Sequence, residues 1–332
     1  MDREIQLYSL SNGTIEVTMA DYGCTIRSIH APDRYGNKEN IAAGFKDPNQ
    51  YRNDHPYFGS TVGRFAGRIA NGKVTIDGKE YLLPINADGN HLHGGIEAFH
   101  RKFWKMEEMS KDRISFSYTS ENGEEGYPGN LAISVEFFLS PENELVISYT
   151  ATTDAPTIIN LTNHSYFNLT GFKEPTIREH LLQVFADRYT VKNENQVSSG
   201  EIRAVDQTPY DLRQPQKIEE GIDLLFDDQG YDINYVLNKT QAEPELAVIL
   251  SEPVSGRNLK IYTDRPGMQV YTSNWWDGSL SGWHDQPYQQ YGAIALETQA
   301  FPDSPNHSHF PNTFLLPGET FSSKTIFQFF TD

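Results

Sequence analysis

Two titratable side chains stand where a fold could make them reactive. Glu297 follows Ala293-Ile294-Ala295-Leu296, a run that reads as a strand buried on both faces. A carboxylate at the end of such a run is partly desolvated, which raises its pKa toward a value useful for a general base. A solvated strand-end glutamate or a buried ion-pair partner fits the same residues. His164 comes after the apolar stretch Thr157-Ile158-Ile159. In extended geometry His164 and Tyr166 share a face, opposite Ser165 and Phe167. A histidine beside a tyrosine can supply a proton near neutral pH. A hydrogen-bonded core histidine fits equally.

These two residues fall in two of four polar clusters set among aromatic residues and glycines. The first is Gly63 to Ile69 with His91-Leu92-His93-Gly94-Gly95, and the second is Asn160 to Leu169. The third is Gly230-Tyr231-Asp232-Ile233-Asn234-Tyr235, and the fourth joins Pro266 to Tyr271 with Leu296 to Gln299. Arginine, aspartate and amide side chains suit an uncharged polyol, and Trp275 or Trp276 could cover an apolar sugar face. Tryptophan in the core is the plainer reading of the last pair.

Three other motifs invite chemistry that their context withholds. Gly67 to Lys73 has the glycine–lysine spacing of a phosphate loop, but Val74 replaces the Ser or Thr and a strand follows where a helix is needed. His91-Leu92-His93 with Glu97 could bind a divalent metal, as a cupin does, yet Gly94-Gly95 interrupts the strand and the Pro317-Gly318 region has no later histidine. Three Asn-x-Ser/Thr sequons begin at Asn160, Asn163 and Asn168. The start of the chain is charged where a signal peptide would be apolar, so glycosylation is not their expected role.

Strands must position these groups. Ile15, Val17 and Met19 alternate with polar residues, as do Ile114, Phe116 and Tyr118, then Leu131 to Phe137, then Leu145 to Tyr149. Strict alternation is what half-buried antiparallel strands require. Asn12-Gly13 and Asp77-Gly78 mark tight hairpins. A short helical piece is expected around Gln216 to Gly221, and no repeat or linker divides the chain. The expectation is an all-β, large antiparallel β-sandwich with little helix, one domain over residues 1–332.

The 332 residues carry 45 acidic and 27 basic side chains, a net charge of −18. Such a surface repels phosphate backbones and anionic lipid, which argues against nucleic acid and membrane as partners. The one cysteine, Cys24, suits a reducing compartment, and a cytoplasmic location is expected. Nothing in the sequence sets the oligomeric state.

Taken together and in order, the segments Gly63 to Ile69, Val74 to Tyr81, Leu92 to Gly95, Gly123 to Asn130, Asn160 to Leu169, Gly230 to Asn234, Pro266 to Asn274 and Leu296 to Gln299 resemble the aldose 1-epimerase, or galactose mutarotase, family. The resemblance implies a β-supersandwich with a shallow sugar cleft, no cofactor and no metal, acting on a free aldose such as galactose or glucose. It makes Glu297 the base at the anomeric hydroxyl and His164 the acid at the ring oxygen. His93 would hydrogen-bond near the anomeric centre, Arg68, Asp232 and Gln269 would hold sugar hydroxyls, and Tyr166 would form part of the wall. Where the family usually reads Asn-Arg-Ile, this chain has Gly67-Arg68-Ile69, so an amide is missing. The same scaffold could also serve a non-catalytic carbohydrate-binding protein or a hexose-phosphate epimerase.

Overall fold

The computed structural model describes residues 3–225, 229–283 and 285–332. The hairpins form where the turn residues place them. Leu7–Ser11 pairs with Glu16–Ala20 across Asn12-Gly13. Lys73–Ile76 pairs with Lys79–Leu82 across Asp77-Gly78, both of which take positive φ, 49° and 74°. Asp-Gly tolerates that pair of left-handed conformations, and its twist matches the flanking strands.

Two large sheets follow among the described residues. The nine-stranded one contains the long alternating strands Arg113–Ser120, Leu131–Leu139, Glu144–Thr153 and Phe321–Thr331 as neighbours. The six-stranded one runs in the order Tyr166–Phe167, Ile294–Gln299, Gly267–Tyr271, Asp232–Val236, Arg188–Lys192, Ser198–Ala204. Every ladder within both is antiparallel.

Period two decides what lies between the sheets. Ile114, Phe116, Val135, Phe137 and Ile147 of the larger sheet share one buried cluster with Ile233, Met268, Val270, Ile294 and Leu296 of the smaller. Phe167 meets Phe327 across the gap edge to face, 5.4 Å between centroids. The expected antiparallel sandwich is therefore present. The short helix is Ile218–Ile222, with Gln216–Lys217 spent on an edge pairing to Leu181–Val184. One local expectation is corrected: the strand does not stop at Glu297 but runs on to Gln299, buried throughout. The strand continues because Gly267–Tyr271 supplies ladder partners to its last residue.

Candidate active site

The six-stranded sheet buries one face in the core and turns the other to a cleft enclosing about 200 Å³. Alternation puts Asp232 and Asn234 on the cleft side, while Ile233 and Tyr235 join the core. The same rule selects Gln269 and Tyr271, then Glu297 and Gln299, and Thr190 and Lys192 on the outer strand. Register then aligns them, because Asn234 lies opposite Gln269, and Gln269 opposite Glu297. Tyr166 completes the floor from the sheet's far side, opposite Ala295.

A rim built from a small separate ladder closes the cleft. Arg68–Ile69 pairs with His91–Leu92, with Arg68 opposite Leu92. His93 then takes φ 51°, breaking the alternation, so His91 and His93 do not work together. His91 is buried against Pro84 O at 2.7 Å and the Tyr127 hydroxyl at 2.6 Å, whereas His93 lines the cleft. Gly94 must lack a side chain, since a Cβ there would stand 1.8 Å from Gly63 O. Glu97 is exposed, so the His91, His93 and Glu97 metal set is not assembled.

Gly67 does two things at this rim. Its φ of +82° is a left-handed conformation that glycine adopts freely. Its N–H donates to His93 Nδ1 at 3.2 Å, and the His93 N–H returns to Gly67 O at 3.1 Å. A ring nitrogen that accepts a hydrogen bond carries no proton, so neutral His93 holds its proton on Nε2. Burial keeps that ring neutral, pushing its pKa well below 6.5, and the neighbouring His164 and Arg68 add to the effect.

His164 and Glu297 meet at the cleft bottom, Nε2 to Oε1 at 3.4 Å. Both are almost wholly inaccessible to solvent. Desolvation drives the Glu297 carboxyl up to about 8, with Asp232 pushing the same way and Arg68 opposing. Desolvation likewise drives His164 down to about 3. Around neutrality the pair therefore holds one proton, resting on the carboxyl. Tyr57, itself at φ 58°, stacks on the His164 ring at 5.6 Å and meets His93 edge-on at 4.7 Å.

The cleft is rich in polar atoms without a protein partner. They include Arg68 Nε, His164 Nδ1, Asn234 Oδ1, Gln269 Oε1, Glu297 Oε2 and both ends of the Gln299 amide. Buried polar groups are ordinarily paired, so a concentration of orphans in one cleft marks a place for a ligand with many hydrogen-bonding groups. Asp232 is better satisfied, accepting from Gln269 Nε2 at 2.6 Å, with Lys192 Nζ 3.7 Å away.

The sequon asparagines prove to be braces. Asn160 donates to Ala66 O and accepts from Ala300 N, tying both catalytic-side loops to one side chain. Asn163 accepts from the Ser165 N–H and hydroxyl while donating to Gly59 O, which holds the backbone on either side of His164. Asn168 spans to Gly292 O, just before the Glu297 strand. All three are buried.

The comparisons with known proteins agree with this geometry. The aldose 1-epimerase family profile matches residues 6–328. The chain belongs to the aldose 1-epimerase family. It is 38% identical to a galactose mutarotase from Rattus norvegicus over 98% of this chain and 94% of that one. It is 34% identical to an aldose 1-epimerase from Escherichia coli K12, over 97% of this chain and 94% of that one. A solved structure of an aldose epimerase homologue from C. elegans superposes with a TM-score of 0.93 at 28% identity, covering 99% of both chains.

The residues that the sequence singled out in this member of the aldose 1-epimerase family lie together in the structure. Arg68, His93, His164, Tyr166, Asp232, Gln269 and Glu297 all line one cleft. Of the two tryptophans, Trp275 is 63% exposed and lines it, while Trp276 is buried beside Phe58, Tyr166 and Tyr288. Sequence reasoning passed over Tyr57, and it gave no role to three members of its polar clusters, Asn234, Tyr271 and Gln299. The last three sit two residues from Asp232, Gln269 and Glu297, so alternation alone would have found them. Tyr57 comes from a loop whose pattern carries no such signal.

The ligand atoms of His93, His164 and Glu297 lie within 4.8 Å of one another, a spacing that could suit a metal ion. The donor chemistry does not fit. A metal needs the lone pair of a deprotonated nitrogen, and the Gly67 N–H leaves the His93 proton on Nε2. The Arg68 guanidinium also acts on His93 and Glu297, and would oppose a second cation.

Proposed function

We propose that this chain interconverts the α and β anomers of free aldoses, with Glu297 and His164 moving the two protons that ring opening requires. The observation that carries this reading is the buried His164–Glu297 contact at 3.4 Å at the bottom of a cleft of unpartnered polar atoms. Opening a cyclic hemiacetal removes a proton from the anomeric hydroxyl and delivers one to the ring oxygen. Two groups with one proton between them can do both.

The protons balance without any other reactant. Before ring opening the shared proton crosses from the Glu297 carboxyl to His164 over their 3.4 Å contact, so that the closed sugar meets a carboxylate and an imidazolium. As the ring C–O bond breaks, the carboxylate takes the hydroxyl proton and the imidazolium gives its proton to the ring oxygen. The open-chain aldehyde is left with a neutral carboxylic acid and a neutral imidazole. Desolvation favours that neutral arrangement, which is also the resting one, so the cost of forming the ion pair is recovered as the ring opens. Rotation about C1–C2 presents the other carbonyl face, and closure reverses both transfers. His93 donates from Nε2 to the oxygen developing charge, in the tautomer that Gly67 fixes. Each positioned proton transfer is worth about 10²–10⁴-fold.

Arg68, Asp232 and Gln269 hold the sugar hydroxyls, Tyr166 forms the wall beneath His164, and Trp275 offers an apolar face at the mouth. The chain acts as one domain over residues 1–332. A phosphorylated sugar is a poor fit, since the cleft's Lys192 is occupied by Gln196 at 2.7 Å and lies beside Asp232. No helix among the described residues is long and apolar enough to cross a membrane.

Polarimetry of freshly dissolved α-D-galactose and α-D-glucose tests the proposal. Faster decay to the same final rotation is expected with one or both sugars. Decay at the uncatalysed rate with both would overturn it.

A further inference from the structure

Two residues beyond Glu297, the cleft contains a polar arrangement that the acid–base pair does not use. Gln299 is fully buried, and neither its amide nitrogen nor its oxygen has a partner. It lies opposite Gly267 in the ladder, and Gly267 contributes no side chain. A Cβ on Gly267 would come within 2.7 Å of Asn234 Oδ1 and 2.9 Å of the Phe301 ring. Asn234 Oδ1 is itself unpartnered, although its nitrogen donates to Thr190 Oγ1 at 3.3 Å. Glycine thus lets Asn234 Oδ1 pack over the ladder where any side chain would collide, and Asn234 and Gln299 both line the cleft with unpartnered amide atoms.

The chemistry of these two amides selects what they bind. Two acceptor oxygens, Asn234 Oδ1 and Gln299 Oε1, repel an anionic oxygen, which has no proton to offer. A hydroxyl satisfies the set, because it donates to one oxygen while accepting from Gln299 Nε2. Sites built around a hydrogen-bonded hydroxyl reject analogues lacking it far more strongly than sites that merely accommodate one. Resting on the mutarotase reading above, we propose that Gln299 and Asn234 form a hydroxyl-reading subsite that decides which aldose the cleft prefers.

The test is a coupling measurement between one side chain and one hydroxyl. Wild type and Gln299→Met are assayed by polarimetry with α-D-galactose and its 2-, 3-, 4- and 6-deoxy analogues. One deoxy sugar should lose roughly tenfold in kcat/KM with wild type. Gln299→Met should lose a similar factor with galactose, chiefly through KM, and nothing further with that deoxy sugar. A Gln299→Met loss that is uniform across the panel would overturn the proposal, because a structural role or a trapped water gives no such selectivity. Should Gln299→Met fail to fold, Asn234→Leu takes its place, and a wild type indifferent to every single deoxygenation overturns the proposal unaided. Calorimetric binding of the same sugars to Glu297→Gln, alone and combined with Gln299→Met, reads the same coupling without turnover. An inactive wild type would then refute the reaction while the binding cycle still decides the subsite.

Discussion

Glu297→Gln should abolish most turnover and make the protein more stable, and the second effect is the sharper test. The folded state holds the Glu297 proton up to about pH 8, whereas the unfolded chain releases it near 4.5. Across that window the folded state binds more protons than the unfolded one, so its stability falls as pH rises from about 4.5 to about 8. At pH 7 the loss amounts to about 3 kcal/mol, and at pH 5 to less than about 1 kcal/mol. Glutamine keeps the shape and removes the ionisation. Unfolding entropy of about 2.1 cal/mol/K per residue gives about 0.7 kcal/mol/K for a chain of 332 residues. The variant should therefore melt about 4 °C above wild type at pH 7, and by about 1 °C at pH 5. Its kcat should drop about 10²–10⁴-fold with sugar binding retained. Calorimetric melts at the two pH values, with polarimetry, measure both. A variant that turns over normally would refute the base assignment. One that gains no stability between pH 5 and pH 7 would refute the claim that this carboxyl is desolvated.

Removing the acid by His164→Asn should cost a similar factor, about 10²–10⁴ in kcat, while KM for galactose stays nearly unchanged. Arg68→Ala should act mainly on binding, raising KM roughly tenfold, and a loss confined to kcat would contradict a hydroxyl-holding role. Burial holds His55, His91 and His180 near 4 and His100 near 3, so the folded protein refuses protons that the unfolded chain accepts at about 6.5. Their stabilising contribution is complete above about pH 6.5 and lost as pH falls toward about 4, each by up to about 3 kcal/mol. Urea midpoints should accordingly fall steeply below pH 6, and a flat profile from pH 7 to pH 4.5 would count against their burial. Dialysis against a chelator should leave polarimetric activity unchanged; loss restored by zinc would mean that His93, His164 and Glu297 hold a metal after all.

The sequence by itself determined the architecture and most of the cleft. Alternation is a local property, so Ile114-Ser115-Phe116 or Ile133-Ser134-Val135 announces a strand and its buried face without reference to any neighbour. Asp77-Gly78 announces its turn in the same way. Ordered motifs along the chain then pointed to the family, and through it to Glu297, His164 and their companions. What no local pattern contains is which strands lie side by side. Only the ladder register sets Asn234, Gln269 and Glu297 in a row, and only the fold brings His164 from one edge strand's approach to within reach of Glu297. The protonation of that pair was open for the same reason, because desolvation depends on everything packed around a group. The positive φ at His93 is a further case. It separates His91 from His93 against the expected alternation, and hands the tautomer of a site histidine to the backbone N–H of Gly67, a residue the sequence showed only as a missing amide.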